Sequence, residues 1–137
     1  MNKVDAFNEL MVQQMPLAVF LGIHALEMDN GYSVLKLPFT ASALRPGDRY
    51  GGPSLFAVAD LGMYAAVLSK YPADRMCLSI SIDSRFLGNP GQNDILAISR
   101  IVSDTPDKLF LTSELFAEGG SDRPVFSCSG HYTPPRT

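Results

Sequence analysis

The sequence predicts one α+β domain in which a six-stranded antiparallel sheet wraps around a long central apolar helix, with a short helix ahead of it. Three observations carry this. Residues 51–69, GGPSLFAVADLGMYAAVLS, hold one charged side chain, Asp60, and a helix that is apolar on nearly all sides must be buried on nearly all sides. Downstream, four runs alternate apolar and polar residues with period two, the pattern of half-buried strands. Upstream, two more strand-like runs flank Asn30-Gly31, the dipeptide that most favours a two-residue hairpin because both turn positions need positive φ. With 137 residues, 46% of them hydrophobic and 18% charged, residues 1–137 read as a single domain with its own core.

Taken in order, Val4, Phe7, Leu10, Met11 and Met15 recur at helical spacing until Pro16 stops the pattern, so residues 3–15 read as a short amphipathic helix. FLGIHALEMDNGYSVLKLPF follows as the first hairpin. Residues 40–52, TASALRPGDRYGG, carry the Pro and Gly of a loop leading into the long helix, and Pro53 suits a first helical turn, where no N–H partner is required. That helix is expected to end near Tyr71, before Pro72. Leu78, Ile80 and Ile82 then alternate with Ser79, Ser81, Asp83 and Arg85, giving a strand with one apolar and one polar face. Residues 94–103, 108–118 and 123–133 behave similarly, with SDTPD and EGGSD as hairpin connections. A sheet curled round a buried helix, its polar faces outward, is the arrangement called a hotdog fold.

The bulk composition narrows the function. A formal charge of −3 without clustered Lys or Arg argues against nucleic acid, whose phosphates call for concentrated positive charge. Cys77 and Cys128 both lie in strand-like runs, with neither a CxxC pair nor a His cluster, so no metal is expected and both read as buried free thiols. The opening segment, MNKVDAFNELMVQQMP, has acidic residues and no continuous apolar core. It reads as neither a signal peptide nor a membrane span, which makes the cytoplasm the expected compartment and a membrane no expected partner.

Asp60 is the residue to explain. Asp suits a helix interior poorly, and burying its charge without partners costs several kcal/mol. An exposed helix edge or a hydrogen bond from Tyr64, one turn on, would satisfy it; so would a catalytic role. The helix start offers a second group, because N-terminal N–H groups lack intrahelical partners and carry partial positive charge, so they can polarise a carbonyl or stabilise an oxyanion. Gly51 and Gly52 would let a substrate approach that backbone, and since Pro53 has no N–H, only Gly52, Ser54 and the next few residues can donate. Gly52 and Asp60 are separated by roughly 12 Å of helix at about 1.5 Å per residue. One chain cannot bring both to the same carbonyl carbon. A joint role therefore requires a homodimer in which Asp60 of one copy faces Gly52 of the other.

In these stretches the chain resembles the hotdog-fold acyl-CoA thioesterases, in particular their phenylacetate-degradation (PaaI-like) branch. GGPSLFAVAD looks like that branch's HGG…LAD helix start, and SISIDSRFLGNPGQNDILAISRIV like its third strand, corner and fourth strand. The resemblance implies that Asp60 is nucleophile or general base and that the Gly52 N–H polarises the thioester carbonyl. Aligned on the paired glycines, Tyr50 stands at the family His but Asp60 falls one residue too far along; aligned on Asp60, Gly51 stands at the His, Gly52 at the first Gly and Pro53 at the second, and this second alignment is preferred because an inserted residue inside the helix would turn the carboxylate by about 100°. The His is absent in either alignment. Arg45 falls where relatives often have an Asn, and since a guanidinium cannot accept a hydrogen bond, Arg45 would instead hold a carbonyl, a substrate carboxylate or a coenzyme A phosphate. Ser79 matches a strand serine that assists in some relatives.

The expected activity is hydrolysis of a small to medium acyl- or aryl-coenzyme A thioester by a homodimer, or by a dimer of such dimers, with coenzyme A entering as part of the substrate and no separate cofactor. Ser54 would stand at the helix start beside the substrate. The acyl group would lie among Leu55, Phe56, Met63 and Tyr64, and Arg49, Arg85, Lys108 and Arg123 are the cations available to the nucleotide phosphates. Two other readings share the fold: a non-catalytic acyl-coenzyme A binder, and a dehydratase or hydratase. The latter pairs its acid with a His in the loop before the helix, and here the histidines are His24, in the first hairpin, and His131, near the C-terminus.

Overall fold

In a computed structural model, which describes residues 1–71 and 78–134, the chain runs through three helices and eight strands. Helix α1 (Lys3–Gln14) is capped by the Asn2 side chain, which accepts the Asp5 N–H. The first helix ends just before Pro16, as the spacing predicts, but Pro16 does not lead into a strand. It opens a second short helix, α2 (Pro16–Leu21), because its fixed φ is suited to a first turn; Gly22, left-handed at φ 75°, closes it. Phe20 and Leu21 therefore belong to a helix and not to the first strand.

Strands β1 (His24–Asp29) and β2 (Tyr32–Leu37) pair across Asn30-Gly31, whose φ values of 40° and 90° are the positive pair expected of this turn. The Gly31 N–H also donates to Ser69 Oγ, which ties the hairpin to the far end of the central helix. At the bulge in β1, the Asn8 side chain both accepts from the Ala25 N–H and donates to its carbonyl, docking α1 on the sheet edge. The segment expected as a plain loop contains a helical turn (Ala41–Ala43) and a two-residue ladder, β3 (Leu44–Arg45) with β4 (Arg49–Tyr50).

Helix α3 (Gly52–Lys70) is the predicted apolar helix, and by length and composition alone it could cross a membrane. In the fold the sheet covers it. Strands β5 (Ser79–Phe86), β6 (Ile95–Asp104), β7 (Leu109–Ala117) and β8 (Phe126–Tyr132) complete a six-stranded antiparallel sheet in the order β1-β2-β6-β7-β8-β5. Leu35, Leu37, Ile95, Ala97, Leu111, Leu115 and Phe126 turn inward to meet Val58, Met63 and Val67, all of them fully buried. Lys70 and the Tyr71 hydroxyl both reach Asp104, fixing the C-terminal end of α3 to β6.

One strand departs from the expected inward apolar face. Strand β5 is an edge strand, with β8 on one side and no strand on the other among the described residues. Along it Ile80 is 54% and Phe86 65% exposed, and Leu78 and Leu87 at its ends are exposed as well. Such an edge presents unpaired N–H and C=O groups beside bare apolar surface, a template for another strand.

Candidate active site

The start of α3 offers one free donor. The Gly51 N–H is taken by the Ala43 carbonyl (2.9 Å), and the Ser54 and Leu55 N–H groups both turn back to the Gly51 carbonyl (3.1 and 3.3 Å). Pro53 has none to give. Among the described residues, no acceptor takes the Gly52 N–H. It lines a recess of ≈ 280 Å³ together with Arg45, Arg49, Leu55, Phe86 and Asn89. The Phe86 ring stands directly against Gly52: a Cβ there would lie 3.3 Å from Phe86 Cζ. Gly52 thus keeps backbone open where any other residue would press on that ring.

Two turns along the same helix, Asp60 lines a second recess of ≈ 210 Å³ with Leu61, Tyr64, Leu78, Ser79 and Tyr132. The Tyr132 hydroxyl, on a residue 3% exposed, donates to Asp60 Oδ1. Tyr132 reaches it because β8 alternates inward and outward residues, so Phe126, Cys128, Gly130 and Tyr132 face the helix. Ser79 pairs with Tyr132 across the β5–β8 ladder, which brings that serine to the same recess. The neighbouring Cys128 thiol is pushed up to about 12 by burial and by the charge of Asp60, so it remains protonated and is no nucleophile at neutral pH.

The expected site residues therefore separate into two groups on one chain. Arg45, Gly52 and Leu55 share the first recess, and Asp60, Tyr64 and Ser79 the second. Gly51 and Ser54 are buried beneath the helix start, Pro53 is exposed, and Phe56 is 37% exposed on the helix surface. Met63 is fully buried in the core and lines neither recess. Of the cations considered for phosphates, Arg49 joins the first recess, Arg85 pairs with Asp83 on the edge strand, and Lys108 and Arg123 lie in hairpin connections. His24 hydrogen-bonds the Gly22 carbonyl through Nδ1, and His131 packs at a tilt against Phe110 and approaches Ser81 Oγ; neither lines either recess. Cys77 lies outside the described residues. Sequence reasoning missed Tyr132 and Asn89. The inward phase of the last alternating run was the available signal for the first; nothing local marked the second.

The sheet, its order and the enclosed helix define a hotdog fold. No protein-family model and no curated protein sequence matches the chain. Solved structures match nearly all of it. A candidate thioesterase from a Silicibacter species superposes with a TM-score of 0.85 at 24% identity, covering 97% of this chain and 92% of that one. The PaaI protein of the E. coli phenylacetic acid degradation operon gives 0.82 at 20% identity, covering 98% and 94%. A thioesterase from Haemophilus influenzae gives 0.85 at 11% identity, covering 97% and 90%. At such identities the likeness establishes the fold, and the chemistry has to be argued from the site.

Proposed function

We propose that this protein is a thioester hydrolase acting in the cytoplasm on small to medium acyl- or aryl-coenzyme A substrates, as a homodimer with two composite sites. The observation that carries the reading is the placement of the two recesses at opposite ends of one unpaired edge strand. Gly52 abuts Phe86, the last residue of β5, and Asp60 shares its recess with Ser79, the first. If β5 pairs antiparallel with the β5 of a second copy about a two-fold axis near Ile82 and Asp83, the Ser79 end of each strand meets the Phe86 end of the other. Asp60 of the partner subunit then faces Gly52, and the apolar row Leu78, Ile80, Phe86 is covered. The thioesterase names of structures sharing the fold support the same class of chemistry.

In this arrangement the Gly52 N–H donates to the thioester carbonyl oxygen, and the partial charge of the helix terminus stabilises the oxyanion that forms. Asp60 of the partner subunit attacks the carbonyl carbon, or takes a proton from a water that attacks it. The C–S bond breaks, the thiolate leaves and is protonated to coenzyme A thiol, and the carboxylic acid is released after water has supplied its second oxygen. The missing family His leaves Gly52 as the polarising group at the helix start. Release of free thiol from a panel of acyl-coenzyme A substrates, by wild type and by Asp60→Asn, tests this. The expected result is a loss of at least about a hundredfold in kcat for the variant; an undiminished rate removes Asp60 from the chemistry.

A further inference from the structure

The first recess holds a feature that thioester hydrolysis by itself does not require. Arg45 and Arg49 are direct cross-strand partners in the two-residue β3–β4 ladder, held there by a tight turn through Pro46, Gly47 (φ 93°) and Asp48 (φ 55°). Like charges directly opposite each other on a ladder destabilise it. Here both arginines line one small recess with Gly52, and among the described residues neither makes an ion pair; Arg45 donates to the neighbouring Pro46 carbonyl. In a chain of net charge −3, two exposed arginines without an ion-pair partner, both lining the recess that holds the Gly52 N–H, can meet an anion that enters it from outside.

Resting on the hydrolase reading, we propose that the Arg45–Arg49 pair receives a carboxylate carried by the acyl group, so that the preferred substrates are coenzyme A thioesters of dicarboxylic acids. Size decides which anion this is. When the thioester carbonyl sits on the Gly52 N–H, an acyl chain of a few carbons ends within a recess of ≈ 280 Å³. The coenzyme A phosphates lie beyond the whole pantetheine arm, which is too long to fold into that space and return its phosphates to the same two side chains. Guanidinium forks match a carboxylate in two-point geometry, and a pair of them facing each other can grip it from both sides.

The test compares glutaryl-coenzyme A with valeryl-coenzyme A, five-carbon acyl groups that differ in the terminal carboxylate, using the intact protein. Wild type should favour glutaryl by about tenfold or more in kcat/KM, as one charge-assisted contact predicts. Arg45→Gln with Arg49→Gln should abolish that preference while valeryl hydrolysis persists, and paired Lys replacements should restore part of it. The same comparison with N-acetylcysteamine thioesters, which lack the nucleotide, separates the two sources of anion. Persistence of the glutaryl preference there supports the acyl carboxylate. If the double variant instead loses both coenzyme A substrates equally and neither N-acetylcysteamine thioester, the arginines hold a phosphate and the proposal is overturned. Equal rates on glutaryl and valeryl in wild type also overturn it. Calorimetric binding of both coenzyme A thioesters to Asp60→Asn reads the preference without turnover, so failure of the hydrolase reading and failure of this inference give different results.

Discussion

At the scale of single residues, Asp60 accepts a hydrogen bond from a neutral donor on a distant strand, and the hydrolase reading gives that contact a consequence for rate. The Tyr132 hydroxyl fixes one carboxylate oxygen of Asp60, which lines a recess together with Ser79. If Asp60 is the attacking or proton-accepting group, Tyr132 is a positioning residue. Tyr132→Phe then lowers kcat by about tenfold with KM little changed, the value of one hydrogen bond to a charged group; a fall in thermal stability with unaltered kcat would make the contact merely structural. A second carboxylate acts on stability instead. The Phe39 N–H (2.8 Å), with the Lys36 ammonium beside it, holds Asp94 below the ordinary value of 3.8 despite partial burial. A carboxyl depressed on folding adds stability above its unfolded value and loses it as pH falls through its folded one. Asp94→Asn should therefore lower Tm at pH 7, with a gap from wild type that narrows below about pH 3.8. A gap of the same size at pH 3 would show that shape, not charge, is what the substitution removes.

At the scale of elements, α3 lies close to the sheet because a row of small polar residues makes room for it. Ser33, Ser99, Ser113 and Cys128 are successive cross-strand neighbours on β2, β6, β7 and β8, all buried. The Ser33 hydroxyl donates to the Gly62 carbonyl and the Ser99 hydroxyl to Ser113. A Cβ on Gly62 would lie 2.5 Å from Ser99 Oγ. Gly62→Ala consequently destabilises by about 1–3 kcal/mol in denaturant unfolding, overpacking outweighing the gain in helix propensity. In a Ser99→Ala background, where the nearest atom is Ser99 Cβ at 3.6 Å, that cost should largely vanish. Patterns of this kind explain what was legible beforehand. Alternation and Asn30-Gly31 are local signals, and Asp60 stood out because its neighbours are apolar. The serine row, the Asn8 clamp on β1 and Tyr132 opposite Asp60 arise only when residues far apart in sequence share a register. Pro16 misled because a proline that stops one helix is equally suited to start the next, and nothing local separates the two.

At the scale of the whole molecule, a single chain carries two features that the proposed dimer would answer. It covers its most apolar helix yet leaves Ile80 and Phe86 exposed on a strand with, among the described residues, no neighbour on one side, and it holds the Gly52 N–H and the Asp60 carboxylate in separate recesses along that strand. A second copy answers both at once, and subunit mixing distinguishes this from two independent sites within one chain. Asp60→Asn removes the acid from both composite sites of a dimer; Gly52→Pro, which suits a first helical turn and needs a shift of a few tenths of an ångström in the exposed Phe86 ring, removes the N–H from both. Each variant alone should be inactive. In a dimer containing one of each, the site pairing the Asp60→Asn subunit's Gly52 with the other subunit's Asp60 carries no substitution, and its twin carries two. Equal mixing after dissociation makes half of the dimers mixed, so activity should return to about a quarter of the wild-type level by isologous pairing alone. Recovery needs exchange, so an Ile80→Lys substitution in both variants, which sets like charges across the shared edge, should hold the chains as monomers in sedimentation and abolish it. If each site were built within one chain, mixing would restore nothing, because every chain in the mixture lacks one of the two groups.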